Sequence, residues 1–292
     1  MSGDVMGDRT AGGPPAGAAR SGGVVGRWAW VPALGIGVVL YELVRRAVVD
    51  TGNPNLVPSL ILLGAAVVPV AFIAFVAGRR LVFTVTSGLV AAVALLGGVV
   101  GVVTAGMLEY HVLRDLGGIP AVLVAAIEES AKLIVPVAVL LVLLVQRHRL
   151  RVDDGLLLGV ASGAGFAVLE TMGYGLVVLI RSRGDLSVLD EVLVERGLLS
   201  PAAHMAWTGL AAAAIWAAVA SSWAWRPVLR LVVTVAVVVA LHATWDGVEH
   251  TRSFVALAVV SLGLLAGTTH RLASPRRGAR GGAAPTVVRA AG

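Results

Sequence analysis

The 292-residue sequence has no cysteine, one lysine and few charges, with Asp, Glu, Lys and Arg together making up 14%. Without cysteine there is no disulfide, no thiolate nucleophile and no thiolate metal site, and cysteine usage says nothing of redox compartment. A soluble domain carries about a quarter of its residues as charges. Roughly half that share excludes a water-soluble enzyme. Alternating segments of about ten residues, the mark of a membrane β-barrel, are also missing. The formal charge of +6 and pI near 10.9 would suggest nucleic acid. The arginines, however, flank apolar segments and form no stripe, so they concern orientation in a bilayer and no nucleic-acid partner is expected.

What is present is apolar sequence: 58% of residues are hydrophobic and mean hydropathy is +0.90. It falls into eight blocks, approximately 28–44, 56–77, 81–107, 119–145, 155–180, 198–221, 228–248 and 253–269. A helix crossing the hydrocarbon needs about 20 residues. The sequence therefore predicts an all-α polytopic bundle of about eight transmembrane helices over 28–269. A Gly/Ala/Ser/Pro-rich tail over 1–27 and an Arg/Gly-rich tail over 270–292 are expected to be disordered. The first block is long, carries Glu42 and lacks a convincing small-residue cleavage site, so no signal peptide is expected.

Orientation follows from the basic residues. With a cytoplasmic N-terminus, fifteen arginines lie inside: Arg9, Arg20, Arg27, Arg79, Arg80, Arg147, Arg149, Arg151, Arg226, Arg230, Arg271, Arg276, Arg277, Arg280 and Arg289. Seven lie outside: Arg45, Arg46, Arg114, Arg181, Arg183, Arg196 and Arg252. Both termini are thus predicted to be cytoplasmic, with Trp28, Trp30, Trp223 and Trp225 at the inner interface.

Ionisable residues interrupt four of the blocks. Glu128, Glu129 and Lys132 lie in the fourth, Glu170 in the fifth, His204 in the sixth, and His242 with Asp246 in the seventh. Each costs roughly 2.5–3.5 kcal/mol at the bilayer centre. Five would cost about 12–18 kcal/mol, comparable to a domain's whole net stability of about 5–15 kcal/mol. They must line a protein-walled, wet cavity and compensate one another. At 1.5 Å per residue, Glu128 and Glu170 lie about 14 and 15 Å from the outer ends of their helices, and His204 and His242 about 9 Å. Helices of alternating direction thus deliver polar groups to one half of the membrane, the outer half.

Spacing adds detail. Lys132 is i+4 from Glu128 and i+3 from Glu129, so it can reach either carboxylate. Adjacent glutamates point about 100° apart, which predicts that one pairs with Lys132 while the other faces the cavity. His242 and Asp246, at i, i+4, let the carboxylate orient the imidazole. Phe166 precedes Glu170 by one turn, and the surrounding glycines give the fifth helix a small packing surface. They are not a phosphate loop, since no P-loop lysine accompanies them.

Glu128-Glu129-Ser130-Ala131-Lys132 (EExxK), Phe166-x-x-x-Glu170 (FxxxE), His204 and His242-x-x-x-Asp246 (HxxxD) resemble, in order, the motifs of PrsW-type intramembrane proteases. The resemblance covers about residues 119–250. The wider group, which includes CAAX-processing endopeptidases and bacterial CPBP proteins, usually shows EExxxR, a His in the second motif and Asn in the last. Lys132 one position earlier, Glu170 and Asp246 match the PrsW branch. The resemblance implies an endopeptidase that cuts a membrane-anchored protein, such as an anti-sigma factor, near the outer leaflet of the cell membrane.

On that reading Glu128, helped by Glu170, activates water. His242, oriented by Asp246, donates to the oxyanion; Glu129 pairs with Lys132; His204 orients water or substrate. No cofactor is needed, but a divalent metal such as zinc can draw on Glu128, Glu170, His204, His242 and Asp246. No HExxH accompanies them. Glu42 is expected to snorkel. Glu109, Asp115 and the acids of a 181–197 loop (Asp185, Asp190, Glu191, Glu195) are expected to be solvated. His111, His148, His250 and His270 receive no role. Two other classes use the same acids: an ion-coupled transporter, which predicts an internal repeat or broken helices, and a non-catalytic scaffold, which keeps the cluster for folding alone.

Overall fold

In hydrocarbon a backbone amide finds no water to bond, so apolar runs of this length fold as helices. The computed structural model describes residues 20–21, 24–248 and 250–274, so the two predicted tails lie largely outside the described residues. A two-residue strand β1 (Arg20–Ser21) pairs antiparallel with β2 (Val82–Phe83), and a short helix α1 (Val24–Trp28) follows it. The long helices are α2 (Trp30–Thr51), α3 (Val57–Ala77), α4 (Ser87–Leu116), α5 (Ala121–Val145) and α6 (Val152–Arg181). They continue as α7 (Leu186–Leu199), α8 (Ala206–Ala220), α9 (Trp225–Gly247) and α10 (Thr251–Ala273).

The chain is an all-α, multi-pass membrane bundle. Among the described residues, six segments have the length and composition to cross a membrane, and one of these, Leu186–Ala220, joins α7 and α8. Helices α2 and α5 are long enough, at 22 and 25 residues, but are interrupted by charges. The 181–197 stretch is not the expected loop. Asp185 caps α7 by accepting from the Ser187 amide (2.9 Å) and hydroxyl (2.6 Å), contacts that hold its carboxyl below the usual range. Leu189, Leu193 and Gly197 then turn one face of the helix inward. Three acids within its fourteen residues, and a fourth at its cap, conceal a helical stripe. The last turn of α10 likewise takes in His270–Ala273, which the sequence assigns to the tail.

Helix α6 is the centre, packing against α3, α4, α5, α7 and α8. Every residue from Asp153 to Ala164 is buried, which a helix wrapped on all sides requires. Its small residues let backbones touch. A Cβ on Gly165 would lie 1.7 Å from the Ala94 carbonyl oxygen of α4. Outward-facing residues such as Leu95, Val122, Val232 and Val259 are exposed and apolar, as a lipid-facing surface must be.

The end of the bundle at which α6 begins is fastened by two acids that drew no assignment from the sequence. Asp154 accepts from the amides of Thr84 (2.7 Å) and Val85 (3.4 Å) and from the Thr84 hydroxyl. Asp153 accepts from the Val82 amide (3.3 Å) and from Arg151 (2.9 Å), whose Nε donates to the Val82 carbonyl (2.7 Å). The α3–α4 connection is thereby tied to the first turn of α6, where carboxylates also complement the helix dipole. Asp154→Ala leaves these donors unpaired and is expected to cost about 1–3 kcal/mol, read as a lowered thermal unfolding midpoint in detergent.

Candidate active site

The site is built around one buried cation. Lys132, on α5, has no solvent exposure. An ammonium has three protons to donate, and all three are placed: Glu129 Oε1 at 2.8 Å, Glu128 Oε2 at 3.0 Å and His204 Nδ1 at 2.8 Å. The Phe166 ring from α6 closes over Nζ, its centroid 4.2 Å away. Ser162, also on α6, donates to the Lys132 carbonyl (2.6 Å). The predicted division between the two glutamates does not occur, because a four-carbon stem at i+3 and i+4 reaches both at once.

His204 is not inside a regular helix. It sits in a π-turn, Pro201–Met205, between α7 and α8, where Ala203 leaves helical geometry at φ −99° and ψ −110°. Single π-turns of this kind frequently occur at functional sites. The turn comes close to α6 because residue 163 is glycine: a Cβ there would stand 2.4 Å from the His204 carbonyl oxygen. With Lys132 donating to Nδ1, the neutral ring carries its proton on Nε2, which faces Glu170 Oε2 at 3.0 Å. Glu170 Oε2 also accepts from Arg196 Nη2 on α7 (2.6 Å), and that guanidinium lies over the Tyr174 ring (3.9 Å). Arg196 belongs to no motif and lies in the charged 181–197 stretch that the sequence presents as a loop, so sequence reasoning alone does not single it out.

His242, on α9, is 2% exposed and stacks on Trp207 of α8 at 4.8 Å and 27°. Trp207 Nε1 is fixed in turn by the Ser261 hydroxyl of α10 (3.0 Å). The partner of His242 Nδ1 is Glu129 Oε1 at 2.9 Å, not Asp246. Asp246 Oδ2 lies 3.5 Å from Nε2, as does Glu128 Oε2, both beyond a good hydrogen bond. One turn of α9 brings Asp246 near the ring but on its far nitrogen, while the neighbouring helix supplies the orienting carboxylate. Glu129 Oε2 also accepts from Thr208 (3.4 Å). A neutral His242 therefore holds its proton on Nδ1 and presents Nε2 as an acceptor. It cannot be the oxyanion donor expected from the sequence until it gains a proton.

Every contact Glu128 makes in the ring uses Oε2, leaving Oε1 unpartnered among the described residues. Four carboxylates (Glu128, Glu129, Glu170, Asp246) and two cations (Lys132, Arg196) leave the cluster at a formal −2 with both imidazoles neutral. Glu128, His204 and His242 each bring a donor atom within 4.8 Å of the others, a group able to hold a metal ion. Glu109 on α4 is not simply solvated: its Oε1 is buried without a partner among the described residues, within electrostatic reach of Glu128, Glu170, Lys132 and Asp246. Lys132→Met strands two buried glutamates and is expected to cost about 3–5 kcal/mol. Asp246→Asn, at a side chain 36% exposed, is expected to cost much less. Thermal unfolding of the two variants in detergent tests the ranking.

The family model for PrsW family intramembrane metalloproteases matches residues 85–268, more than half of the 292-residue chain. The match begins just before α4 and takes in every residue of the cluster, while α2 and α3 lie outside it. No curated protein and no solved structure matches. With these residues gathered inside the matched stretch, the chain belongs to the PrsW family of intramembrane metalloproteases, and it is a membrane-embedded protease that acts on a membrane protein.

Proposed function

We propose that the cluster hydrolyses a peptide bond of a single-span, membrane-anchored protein, an anti-sigma factor being one such substrate, at the extracytoplasmic half of the cell membrane. The observation that carries the reading is Glu128, whose Oε1 has no partner among the described residues and whose Oε2 lies 3.5 Å from the Nε2 lone pair of His242, a ring that Glu129 orients. Glu128 Oε1 takes a proton as the water oxygen attacks the scissile carbonyl carbon. His242 then takes up that proton at Nε2 and delivers it to the leaving nitrogen. Glu129 and Asp246 stabilise the imidazolium meanwhile, as a carboxylate does for a catalytic histidine elsewhere. Once protonated, His242 is also a donor for the oxyanion. Lys132, with its three protons committed, holds Glu128 and Glu129 in register and transfers none.

The family description implies a metal, and the donor set suits one. Glu128, His204 and His242 would hold a divalent ion in a pocket whose formal charge of −2 matches it. The second nitrogen of His242 already rests on Glu129, the backing that metal-ligating histidines usually have. His204 has both nitrogens engaged and would give up Lys132 or Glu170 to join. When bound, the ion would polarise the carbonyl and acidify water.

Both termini are cytoplasmic in this reading, with the membrane domain over 28–269 and its motif-bearing core over 119–250. Co-expression with candidate single-span proteins tests the reaction. Glu128→Gln, nearly isosteric but no base, is expected to lower cleavage by at least about 100-fold with the fold retained. Unchanged cleavage removes the base from Glu128. Chelation of the purified enzyme separates the two uses of His242 Nε2: activity lost on chelation and restored by zinc gives that nitrogen to the metal and removes it as the proton carrier, whereas activity indifferent to both leaves the side chains alone as the catalyst.

A further inference from the structure

Beside the cluster lies a cavity of about 250 Å³ between α6, α7, the π-turn, α9 and α10. His204 and Arg196 are common to both, so cavity and cluster share a wall. Val178, Val192, Trp245 and Phe254 make much of the lining apolar. Arg196 is the exception. One nitrogen is bound to Glu170 and the guanidinium plane is covered by Tyr174, but its Nε is buried with no partner among the described residues. A buried donor left unpaired is destabilising, and one retained beside the cluster is free to bond an acceptor that arrives.

We propose that this cavity receives the residues of the substrate next to the scissile bond, with Arg196 Nε donating to a main-chain carbonyl. The proposal rests on the protease reading and adds how the substrate is held. A carbonyl suits better than a carboxylate. Glu170 already neutralises the guanidinium, and Glu195 also lines the cavity, so a second anion would be repelled. A spanning helix keeps its interior carbonyls bonded to its own amides and leaves only those of its last turn unpaired, so the acceptor comes from an unwound stretch or from a helix end. Arg196 thereby favours substrate segments that are open at that point, and the apolar lining accepts an aliphatic or aromatic side chain beside that carbonyl.

The absence of native cysteine allows a direct test. In full-length protein carrying Leu199→Cys, the single thiol lines the cavity, and its rate of maleimide labelling reports whether the space is filled. N-acetyl-leucyl-leucine amide, which offers neutral carbonyls and apolar side chains, is expected to slow labelling saturably. Arg196→Lys keeps a cation for Glu170 but has no Nε, and is expected to raise the half-protecting concentration about tenfold or more. Val192→Trp fills the cavity from α7 without touching the ion pair and is expected to abolish protection. Glu128→Gln is expected to retain protection, so a failure of the chemistry is read separately from a failure of binding. Absence of protection in the parent, or protection unchanged in Arg196→Lys or Val192→Trp, overturns the proposal. Stronger protection by N-acetyl-leucyl-glutamate than by the amide overturns the choice of a neutral acceptor.

Discussion

An ammonium with no access to water has to be surrounded by acceptors, and in an apolar bundle those acceptors must come from the protein. Lys132 finds three: two carboxylates one turn behind it on α5 and an imidazole from the π-turn before α8. Once those are placed, little else in the ring is free to vary. Glu129, held by Lys132, turns its other contacts to His242 and Thr208. His204, accepting at Nδ1, must point Nε2 at Glu170, which in turn holds Arg196. A single desolvated charge thus determines the proton positions on both faces of the site. Removing one partner of such a pair is costlier than removing both, so the ring stands or falls together.

That ring could not close without backbone contact between helices. Helix association in a membrane has no hydrophobic drive of its own and depends on small residues and interhelical hydrogen bonds. Both are visible at α6. Gly163 lets the π-turn bring His204 against the Lys132 side, and Ser162 beside it bonds the Lys132 carbonyl. Gly165 and Gly98 bring α4 into backbone contact on the opposite side. Helix α6 is therefore the spacer between α5 and α8, and its glycine-rich run, which resembles a loop in composition, is a helix in backbone contact with its neighbours.

The long apolar blocks and the depth of their charges were legible because hydrophobicity and spacing act along one helix at a time. Contacts between helices were not. From i, i+4 spacing alone Asp246 is a sensible partner for His242, yet the orientation of the ring is set by Trp207 stacking and by Glu129, 113 residues away in the chain, and no local pattern encodes that choice. Helix α7 was hidden by its acids. Its stripe of Leu186, Leu189, Leu193 and Gly197 has helical period, and counting it would have recovered the element and drawn notice to Arg196. Asp153 and Asp154 sit where any helix start favours acids, so nothing distinguished their burial from an ordinary cap.

Counting protons separates the groups that can do chemistry from those that hold it. Lys132 has spent all three donors, and His204 has both nitrogens engaged. Glu129 and Glu170 each accept from two basic side chains. What remains uncommitted in the ring, among the described residues, is one oxygen each of Glu128 and Glu170, Nε2 of His242 and the partly exposed Asp246. The two histidines, alike in sequence as lone imidazoles in apolar helices, are therefore opposites: His204 is closed at both nitrogens, while His242 is anchored at one and open at the other. Nε2 of His242 faces one oxygen each of Glu128 and Asp246 at 3.5 Å, so a proton or a cation placed among them is attracted by both carboxylates. Proton transfer and metal binding therefore compete for the same three-sided space.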